Sequence, residues 1–573
     1  MESEALRREI RKIALKNASD YGAAHAGAVI GKILSKFPEL KNERQMLSEE
    51  VGRIVEEVNM LGKEGIAREA SSYMEEFEAE RQAKAESSSK HNFSIPGAEK
   101  GKFITRFPPE PGGYLHLGHA KAIFIEDTLR SIYEGKLLLY FDDTNAENEK
   151  QEFVDAIKVD LEWLGVKFDK EYYASDSIPM LYNYAQAMID GGKAYVCLCN
   201  GDKIKEGRAS GIPCEHKAQK VSTNAELWNK MMKKEFNENE AILRFNSDMK
   251  AINTTMRDPT LFRIKKAWHY RQGDKYSVWP TYDFCTPIMD SINGITDTLR
   301  DKRYEMRDNL YYAILDALGL RKPRITSFAI VEIANNVTSK REIREMIKDG
   351  RISGFDDVRL ATIAALRKRG VKPEAIREFA LSFGMGKSES VSSIEALLSI
   401  NRRLIEKNAK RLFFVEKPIS LIVKSIPEEN KKVSMEANTG GNHEKREYLL
   451  NNVFMIDEAS AESVKEGAIL KLMDLFTVKV TKVINGSIEA EYAQPQEPYT
   501  RIVWLNEGNY RSCVLINIGD LLSGDNFNED SIKRTVGFIE GYVDKLTIGD
   551  VVQLEGRGFF KLDESKSRSF ISL

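Results

Sequence analysis

The sequence has few cysteines, no long apolar run and almost no net charge, and each absence excludes a class of protein. Five cysteines in 573 residues cannot form the disulfide framework of a small secreted protein, so we expect a reducing, cytoplasmic compartment. No apolar stretch reaches the ~18 residues that a membrane span requires, and the N-terminal residues lack the apolar core of a signal peptide. The 85 basic and 87 acidic residues exclude a uniformly basic nucleic-acid coat but not a local basic face.

What is present is typical of a multidomain globular protein. Hydrophobic residues make up 42%, and the length predicts about four domains at ~150 residues each. Periodicity and turn residues divide the chain into these parts: a helical N-terminal domain and linker over 1–96, an α/β domain over 97–330 with an insertion at about 195–275, a helical connector over 331–405, and a β-rich region over 406–573. Within the first part, Met74 to Lys84 reads as a solvated helix and Ser87 to Gly101 as a linker.

A strand, a glycine-rich turn, a helix and a second strand follow one another from Lys102. KFITRF and KLLLYFDD have the composition of buried strands, and residues 121–135 between them have helical period. This order is typical of a parallel βαβ unit, which binds ligands at the carboxyl ends of its strands and at helix N-termini. PPEPGGYLHLGHA occupies that position in the sequence.

The sharpest motif is His116-Leu117-Gly118-His119 at the head of the predicted helix. Two imidazoles can donate to phosphate oxygens as negative charge develops, the glycine leaves bare backbone against which a base can lie, and the helix N-terminus adds its positive end. Two histidines three residues apart also fall on one helical turn by chance. The strand and glycine-rich turn that precede them favour a nucleotide site.

A second constellation lies inside the predicted insertion. Cys197-x-Cys199 is followed by Cys214-x-His216, and pairs of thiolates and imidazole at this spacing are typical of a tetrahedral, structural Zn²⁺ site. Zinc would stabilise a small insertion that has no core of its own. The alternative is a set of buried thiols with a surface histidine.

The C-terminal half changes character twice. Residues 340–405 are predicted to be helical, in three segments that each end at a glycine. From about residue 410, short β-rich runs separated by Gly, Asn, Asp or Pro predict sandwiches or barrels.

Five blocks in chain order resemble the class I aminoacyl-tRNA synthetases of the glutamyl/glutaminyl subgroup. They are RFPPEPGGYLHLGHAKAIF, which resembles the HIGH signature; LLLYFDDTNAEN, 137–148; WPTYDFCTPIMDSINGITDTLR, 279–300; VTSKREI, 337–343, similar to the KMSKS loop in its short SKR form; and GFDDVRLATIAALRKRGV, 354–371. The resemblance covers roughly residues 100–570, and the helical head and β tail are those of archaeal and eukaryotic glutamyl enzymes. Departures from the family pattern are Tyr140, Ala146, Asp297, Val337 and Thr338.

The resemblance implies a Rossmann-like catalytic domain with an acceptor-stem insertion, a helical connector and a C-terminal β-barrel anticodon-binding region. It implies ATP, Mg²⁺ and L-glutamate, which react to give glutamyl-adenylate, and transfer of the glutamyl group to tRNA(Glu). The residues carried over from the family are the catalytic groups His116, His119 and Lys340; the ATP-binding residues Pro109, His116, Gly118, His119, Ser339 and Lys340; and the glutamate-binding residues Arg106, Glu110, Asp142, Tyr282 and Arg300. Glutamyl members have an Arg at the position of Arg300, whereas glutaminyl members have a smaller uncharged residue.

Three rival functions are kept beside this one. A glutaminyl-tRNA synthetase shares all five blocks, a catalytically silent tRNA-binding relative would keep the fold, and a small nucleotidyltransferase would need no anticodon region. Whether tRNA(Gln) is also charged stays open, as do the oligomeric state and a partner protein for the helical head. Candidate tRNA contacts, each of which could also belong to a solvated surface, are Arg359, Arg367, Lys368, Arg369, Arg501 and Arg557.

Overall fold

The computed structural model of the chain describes residues 3–21, 24–37, 44–73, 93–437, 444–484, 486–495 and 497–573. The chain divides into two compact units, Met1–Asn92 and Phe93–Leu573. Across the described residues no helix is both long and apolar enough to cross a membrane.

The first unit contains four helices: α1 Ser3–Tyr21, α2 Ala26–Lys36, α3 Arg44–Met60 and α4 Gly62–Ser71. Apolar side chains that recur at helical spacing, such as Ile10, Ala14 and Ile33, are fully buried and form one core between these helices. The predicted helical character is therefore confirmed where the chain is described. The expected helix from Met74 to Lys84, and the linker up to Asn92, lie outside the described residues.

The second unit begins with the predicted parallel βαβ unit, which is confirmed. Strand β1 Ile104–Phe107 pairs in parallel with β2 Lys136–Phe141, and β2 pairs in parallel with β3 Lys170–Tyr173. Helix α5 Leu117–Ile132 connects β1 to β2 and starts four residues earlier than its periodicity predicted, because His116 caps its first turn. The remaining helices of this unit before the connector are α6 Gln151–Trp163, α7 Ile178–Asp190, α8 Gly201–Ser210, α9 Val221–Met232, α10 Tyr282–Ile292 and α11 Asp308–Leu318.

The insertion is an antiparallel sheet of four strands: β4 Ala194–Cys197, β5 Ile242–Phe245, β6 Thr260–Ile264 and β7 Val278–Pro280. After it the chain returns to the parallel part with β8 Asp297–Asp301, which pairs with β9 Arg324–Phe328. Residues before β8 bond to β1, since the Ile104 N–H donates to Thr296 Oγ1 at 2.8 Å and the Thr296 N–H donates to Ile104 O at 2.9 Å. The carboxyl ends of β1, β2 and β8 therefore lie on one side.

The connector is less helical than expected. It contains the helices α12 Lys340–Lys348, α13 Ile363–Arg369, α14 Pro373–Leu381 and α15 Ile394–Ile405, together with a parallel pair of short strands, β10 Val331–Ile333 and β11 Ser390–Ser392. The prediction of helix throughout 340–405 was wrong at 356–362, which precede α13, and at Ser390–Ser392. Helix α13 is short because Thr362 Oγ1 accepts the Ala365 N–H at its start and Gly370, with a φ of +103°, ends it.

The β-rich tail forms two seven-stranded, barrel-like sheets, which confirms the predicted barrel region. Its strands are β12 Lys410–Leu412, β13 Phe414–Val415, β14 Pro418–Lys424, β15 Lys432–Glu436, β16 Lys445–Leu449, β17 Val453–Asp457, β18 Ile469–Leu472, β19 Thr477–Ile484, β20 Ser487–Ala493, β21 Thr500–Ile502, β22 Leu505–Asn506, β23 Tyr510–Ile518, β24 Leu522–Ser523, β25 Asn526–Phe527, β26 Ile532–Glu540, β27 Val551–Leu554, β28 Gly558–Glu564 and β29 Ser569–Ser572, with a short helix, α16 Glu458–Glu462. The strand orders are β21-β18-β19-β20-β14-β17-β22 and β12-β27-β28-β29-β23-β26-β13. The tail bonds to the connector where Arg369 Nε donates to Ser572 O at 3.0 Å.

Candidate active site

A cavity of about 990 Å³ opens at the carboxyl ends of β1, β2 and β8. Ten of the eleven residues that the family resemblance assigns to ATP and glutamate line it: Arg106, Pro109, Glu110, His116, Gly118, His119, Asp142, Tyr282, Arg300 and Lys340. The eleventh, Ser339, does not line it but caps α12, because its Oγ accepts the Glu342 N–H at 3.4 Å. Residues spread over 235 positions of the sequence therefore converge on one space.

The two imidazoles of the HLGH motif are held by backbone N–H groups at the start of α5. His116 Nδ1 accepts the Gly118 N–H at 3.0 Å, and His119 Nδ1 accepts the His116 N–H at 3.2 Å. Because each Nδ1 acts as an acceptor, the neutral rings carry their proton on Nε2. Both histidines therefore have an N–H that is free of the helix cap and available to a ligand.

The environment keeps both rings neutral. Burial, and then the positive charge of Lys340, lower the pKa of His116 to about 4. The pKa of His119 lies well below its usual value for the same first reason, with His116 and Lys340 adding to the effect. The ring centroids are 3.8 Å apart, and a Cβ on Gly118 would lie 2.8 Å from His116 Cε1. A glycine is required at this position by the imidazole itself, in addition to any approaching base.

Lys340 reaches the cavity from the first turn of α12. Its Nζ donates to Glu110 O at 3.0 Å and to Glu110 Oε2 at 3.2 Å, so the lysine meets the PPEP turn. A Cβ on Gly113 would lie 3.1 Å from Lys340 Cγ, which shows how closely the turn approaches this side chain. Arg344, one helical turn further along, donates to Gly112 O and, at 3.3 Å, to Asn148 Oδ1. These contacts hold the SKR segment over the turn.

Arg300 and Tyr282, which also line the cavity, form the candidate pocket for an amino acid side chain. Arg300 is 5% exposed, and its guanidinium lies 5.8 Å from the centre of the Tyr282 ring. Nη1 pairs with Asp308 Oδ1 at 2.7 Å, whereas the buried Nε has no partner. An unpartnered buried donor is costly, and Asp308 uses only one nitrogen of the guanidinium, so Arg300 keeps charge and hydrogen-bonding capacity for a ligand carboxylate.

Arg106 is placed differently from Arg300. Its Nε and Nη2 bond to the two carboxylate oxygens of Asp290 at 2.8 and 3.2 Å, and its Nη1 donates to Leu299 O at 3.3 Å. The side chain is 1% exposed. This buried pair ties β1 to α10 and to β8 next to Arg300, so Arg106 supports the strand that carries Arg300 even though it also lines the cavity.

Two further buried carboxyl groups in the cavity wall have no counterpart in the sequence-based assignment. Glu126 is 1% exposed and Glu149 is 4% exposed, and each has an oxygen without a hydrogen-bond partner. Burial, and then the charge of Asp143, raise the pKa of Glu149 to about 10. Glu149 lies directly after the DTNAEN block, yet its burial depends on His269, whose Nε2 is 3.4 Å away and 120 positions along the chain. Sequence pattern alone gives no signal for such a contact.

Most of the candidate tRNA contacts are engaged within the chain. Arg359 bonds to Asp357, Arg367 pairs with Asp160, Lys368 pairs with Asp356, Arg557 pairs with Glu416, and Arg369 is 6% exposed. Arg501 is exposed on β21. A buried arginine such as Arg369 supports the fold, so the exposed ones are the better candidates for phosphate contacts.

The cysteine and histidine constellation forms a compact cluster in the insertion. One ligand atom from each of Cys197, Cys199, Cys214 and His216 lies within 4.8 Å of the others. Cys197 Sγ and Cys214 Sγ are 3.8 Å apart, and Cys199 Sγ is 3.4 Å from His216 Nδ1. Two thiolates bound to tetrahedral zinc at ~2.3 Å are separated by about 3.8 Å. The residues present therefore fit a zinc ion.

A buried basic side chain, Arg244, contacts two thiols of this cluster. Arg244 Nη1 lies 3.9 Å from Cys197 Sγ and 3.8 Å from Cys214 Sγ, and Arg244 is 2% exposed. A buried guanidinium beside thiols favours their ionised, metal-binding form.

A parallel βαβ unit with HLGH at the head of its helix, and a lysine loop that meets the same cavity, defines the class I aminoacyl-tRNA synthetases. The family model described as "tRNA synthetases class I (E and Q), catalytic domain" matches residues 102–406, and the "anti-codon binding domain" of the same group matches 409–496. The chain belongs to this glutamate and glutamine family of class I tRNA synthetases.

Relatives of similar length carry the name "Glutamate--tRNA ligase". The one from Nitrosopumilus maritimus is 38% identical over 99% of both chains, and the one from Thermococcus kodakarensis is 35% identical over 100% of this chain and 99% of its own. A crystal structure of a glutamate tRNA ligase from Elizabethkingia meningosepticum, in complex with its amino acid, matches 53% of this chain and 70% of its own at 19% identity, with a TM-score of 0.40.

Proposed function

We propose that this chain is a glutamate–tRNA ligase, which activates glutamate with ATP and transfers the glutamyl group to the 3′ end of tRNA(Glu). Full-length similarity to archaeal glutamate–tRNA ligases supports the activity. The observation that carries the residue assignment is the convergence of the HLGH imidazoles, Lys340 and Arg300 on one cavity. The four-part domain division expected from the sequence is part of the proposal, and we place the reaction in the cytoplasm.

In the first step the glutamate α-carboxylate attacks the α-phosphate of ATP in line, and pyrophosphate leaves. Such a displacement is driven by positioning and charge stabilisation. His116 and His119 donate from Nε2 to phosphate oxygens, and the N-terminus of α5 adds its positive end. Lys340 leaves Glu110 and neutralises charge on the departing pyrophosphate, a load shared by the Mg²⁺ that enters with ATP as part of the substrate.

Glutamate recognition uses both ends of the amino acid. The γ-carboxylate pairs with the guanidinium of Arg300 while Tyr282 packs over it. Asp142 binds the α-amino group from the end of β2, where its N–H bonds to Pro109 O at 3.1 Å. Charge-assisted pairs of this kind are the stronger hydrogen bonds in proteins.

Asp142 should give glutamate use a pH dependence. Burial, and then the negative charges of Glu110 and Asp143, raise the pKa of Asp142 to about 7. Below this pH the carboxyl is protonated and cannot pair with an ammonium group. We therefore expect kcat/KM for glutamate to fall towards tenfold per pH unit below about pH 7 and to level off above it, measured by initial rates across pH 5.5–8.5.

The variant Asp142→Asn should lower kcat/KM at neutral pH and flatten the acidic limb. Asp176→Asn is the matched control, because Asp176 pairs with Arg271 at the surface and does not line the cavity. An acidic limb that is as steep in Asp142→Asn as in the wild type would reject Asp142 as the ammonium-binding group.

We assign a structural zinc ion to Cys197, Cys199, Cys214 and His216. Four protein ligands leave no open position for chemistry, so the ion stabilises the insertion that would contact the tRNA acceptor end.

Purified protein should contain about one zinc per chain, and Cys199→Ser should release it and lower the melting temperature of the insertion. Cys513→Ser is the matched control, since this buried thiol lies in β23 of the tail, outside the cluster. The measurement is elemental analysis of protein prepared without chelator. If the purified wild type contains no metal, and added zinc does not raise its melting temperature, a set of buried thiols becomes the better account.

The test of the function is aminoacylation of separate tRNA(Glu) and tRNA(Gln) with each free amino acid. Charging of tRNA(Glu) with glutamate supports the proposal, and charging with glutamine favours the glutaminyl rival. The absence of any charging would favour a silent tRNA-binding relative. Charging of tRNA(Gln) with glutamate would extend the proposal to that second tRNA. Whether the helical first unit docks a partner protein or only supports folding is a separate question, which this assay does not address.

A further inference from the structure

A second cation with no role in the proposed chemistry lines the same cavity. Arg303 lies in the 3₁₀ turn Lys302–Arg307, which directly follows β8. Its charge lowers the pKa of both His116 and His119, as the charge of Lys340 does. The guanidinium therefore lies within electrostatic range of both HLGH imidazoles while it belongs to a different segment of the chain from Lys340.

The side chain of Arg303 is aimed by its neighbour Asp301. Asp301 Oδ1 accepts the Arg303 N–H at 3.0 Å, and Asp301 Oδ2 accepts Arg303 Nε at 2.7 Å. Asp301 Oδ2 also pairs with Arg303 Nη2 at 2.5 Å, so Asp301 occupies the Nε–Nη2 edge of the guanidinium, while 64% of the side chain is exposed. A guanidinium that is fixed along one edge and free along the other is suited to bind a phosphate group with two parallel hydrogen bonds.

The charge balance of the cavity calls for such a group. Three of its arginines pair with acids of the fold: Arg106 with Asp290, Arg300 with Asp308 and Arg307 with Asp283. Two more belong to the insertion rather than to the segment after β8: Arg208 donates to backbone oxygens, and the Nε of Arg263 is buried without a partner. A triphosphate brings about four negative charges, and the cavity already contains the carboxyl groups of Glu110 and Asp142. Lys340, which pairs with Glu110, offsets only part of this charge.

We propose that Arg303 binds the triphosphate of ATP and the departing pyrophosphate, as a second cation beside Lys340. The proposal rests on the proposed function, since it concerns the nucleotide of that reaction. Asp301 is then a positioning residue, which holds the guanidinium at the phosphate end of the site. The specificity for glutamate does not depend on it.

The experiment compares Arg303→Gln and Arg303→Lys with a matched control, Arg351→Gln. Arg351 is also partly exposed and also pairs with the acid two residues before it, Asp349 at 2.8 Å, but it does not line the cavity. ATP–pyrophosphate exchange with tRNA present gives the KM values of ATP, pyrophosphate and glutamate. Calorimetric binding of α,β-methylene ATP measures nucleotide affinity without any reaction.

We expect Arg303→Gln to raise the KM of ATP and of pyrophosphate, and the Kd of the analogue, by about 10- to 100-fold, the range for losing a hydrogen bond to a charged group. Arg303→Lys should recover part of this, and the KM of glutamate should change less than about twofold. Arg351→Gln should match the wild type. Melting temperatures equal to that of the wild type show that the variants are folded, and a misfolded Gln variant leaves the Lys variant to test the graded loss.

Unchanged ATP, pyrophosphate and analogue constants in a folded Arg303→Gln variant would overturn the proposal. An increase confined to the KM of tRNA would overturn it as well, since it would assign Arg303 to a tRNA phosphate. These results differ from failure of the proposed function, in which the wild type shows no exchange with glutamate. In that case the analogue-binding comparison still decides the role of Arg303.

Discussion

Replacing Arg300 with Gln should lower kcat/KM for glutamate by about 10²–10³-fold and change glutamine use far less. Arg300 is almost fully buried, and its Nε has no partner within the described chain. The γ-carboxylate of glutamate gives the guanidinium a second counter-charge beside Asp308, whereas the uncharged amide of glutamine does not. Breaking a buried ion pair costs ~3–5 kcal/mol, which corresponds to the expected loss.

The pairing of Arg300 with Asp308 adds a second expectation to this experiment. Asp308 already shares the guanidinium, so Asp308→Asn should tighten glutamate binding or leave it unchanged, whereas Arg300→Gln should weaken it. Lys302→Gln is the control, because Lys302 lies two residues after Arg300 but pairs with Glu389 and does not line the cavity. Initial rates with glutamate and with glutamine give the ratio of the two kcat/KM values for each variant. A wild type that uses glutamine as readily as glutamate would assign the chain to the glutaminyl rival.

Lys340→Ala should lower the rate of glutamyl-adenylate formation by about 10²-fold or more. The lysine lies in the first turn of α12, and its Nζ donates to Glu110 Oε2 at 3.2 Å at the cavity. Loss of one preorganised donor at a site of developing charge has this magnitude in other enzymes. ATP–pyrophosphate exchange, with tRNA included because enzymes of this subgroup generally need it, measures the step.

Lys348→Ala is the matched control for that variant. Lys348 lies at the other end of the same helix and is exposed, so its loss should leave exchange unchanged. Wild-type exchange in Lys340→Ala would remove this lysine from the reaction. The effect should appear in the maximal rate more than in the KM of glutamate, since Lys340 acts on the leaving pyrophosphate.

The parts of the site that the sequence predicts are those with local causes. The HLGH cap of α5 is made within four residues, because His116 and His119 bond to backbone N–H groups of their own turn. The cluster of cysteines and a histidine is likewise predicted from two short pairs, Cys197-x-Cys199 and Cys214-x-His216. The short SKR segment also acts locally, since Ser339 caps the helix that presents Lys340.

The parts that the sequence does not predict depend on contacts between distant segments. Arg106 and Asp290 are 184 positions apart, and their pairing turns a candidate substrate cation into a support of the fold. Asp297, which departs from the family pattern, is another example. Arg324, 27 positions away, bonds to both of its carboxylate oxygens at 2.8 and 2.9 Å. Strand β11 also forms only because β10 lies beside it in parallel. The periodicity of a segment does not predict which distant residues will contact it.

The thiol cluster of the insertion has a consequence for oxidation. Cys197 Sγ and Cys214 Sγ lie within easy reach of each other at 3.8 Å, so in protein that has lost its metal a small movement brings them to bonding distance for a disulfide. That bond would remove two of the four ligands at once, and zinc alone could not rebind until a reductant restored the thiols. A metal ion bound at the proposed site would therefore also protect these two thiols from oxidation.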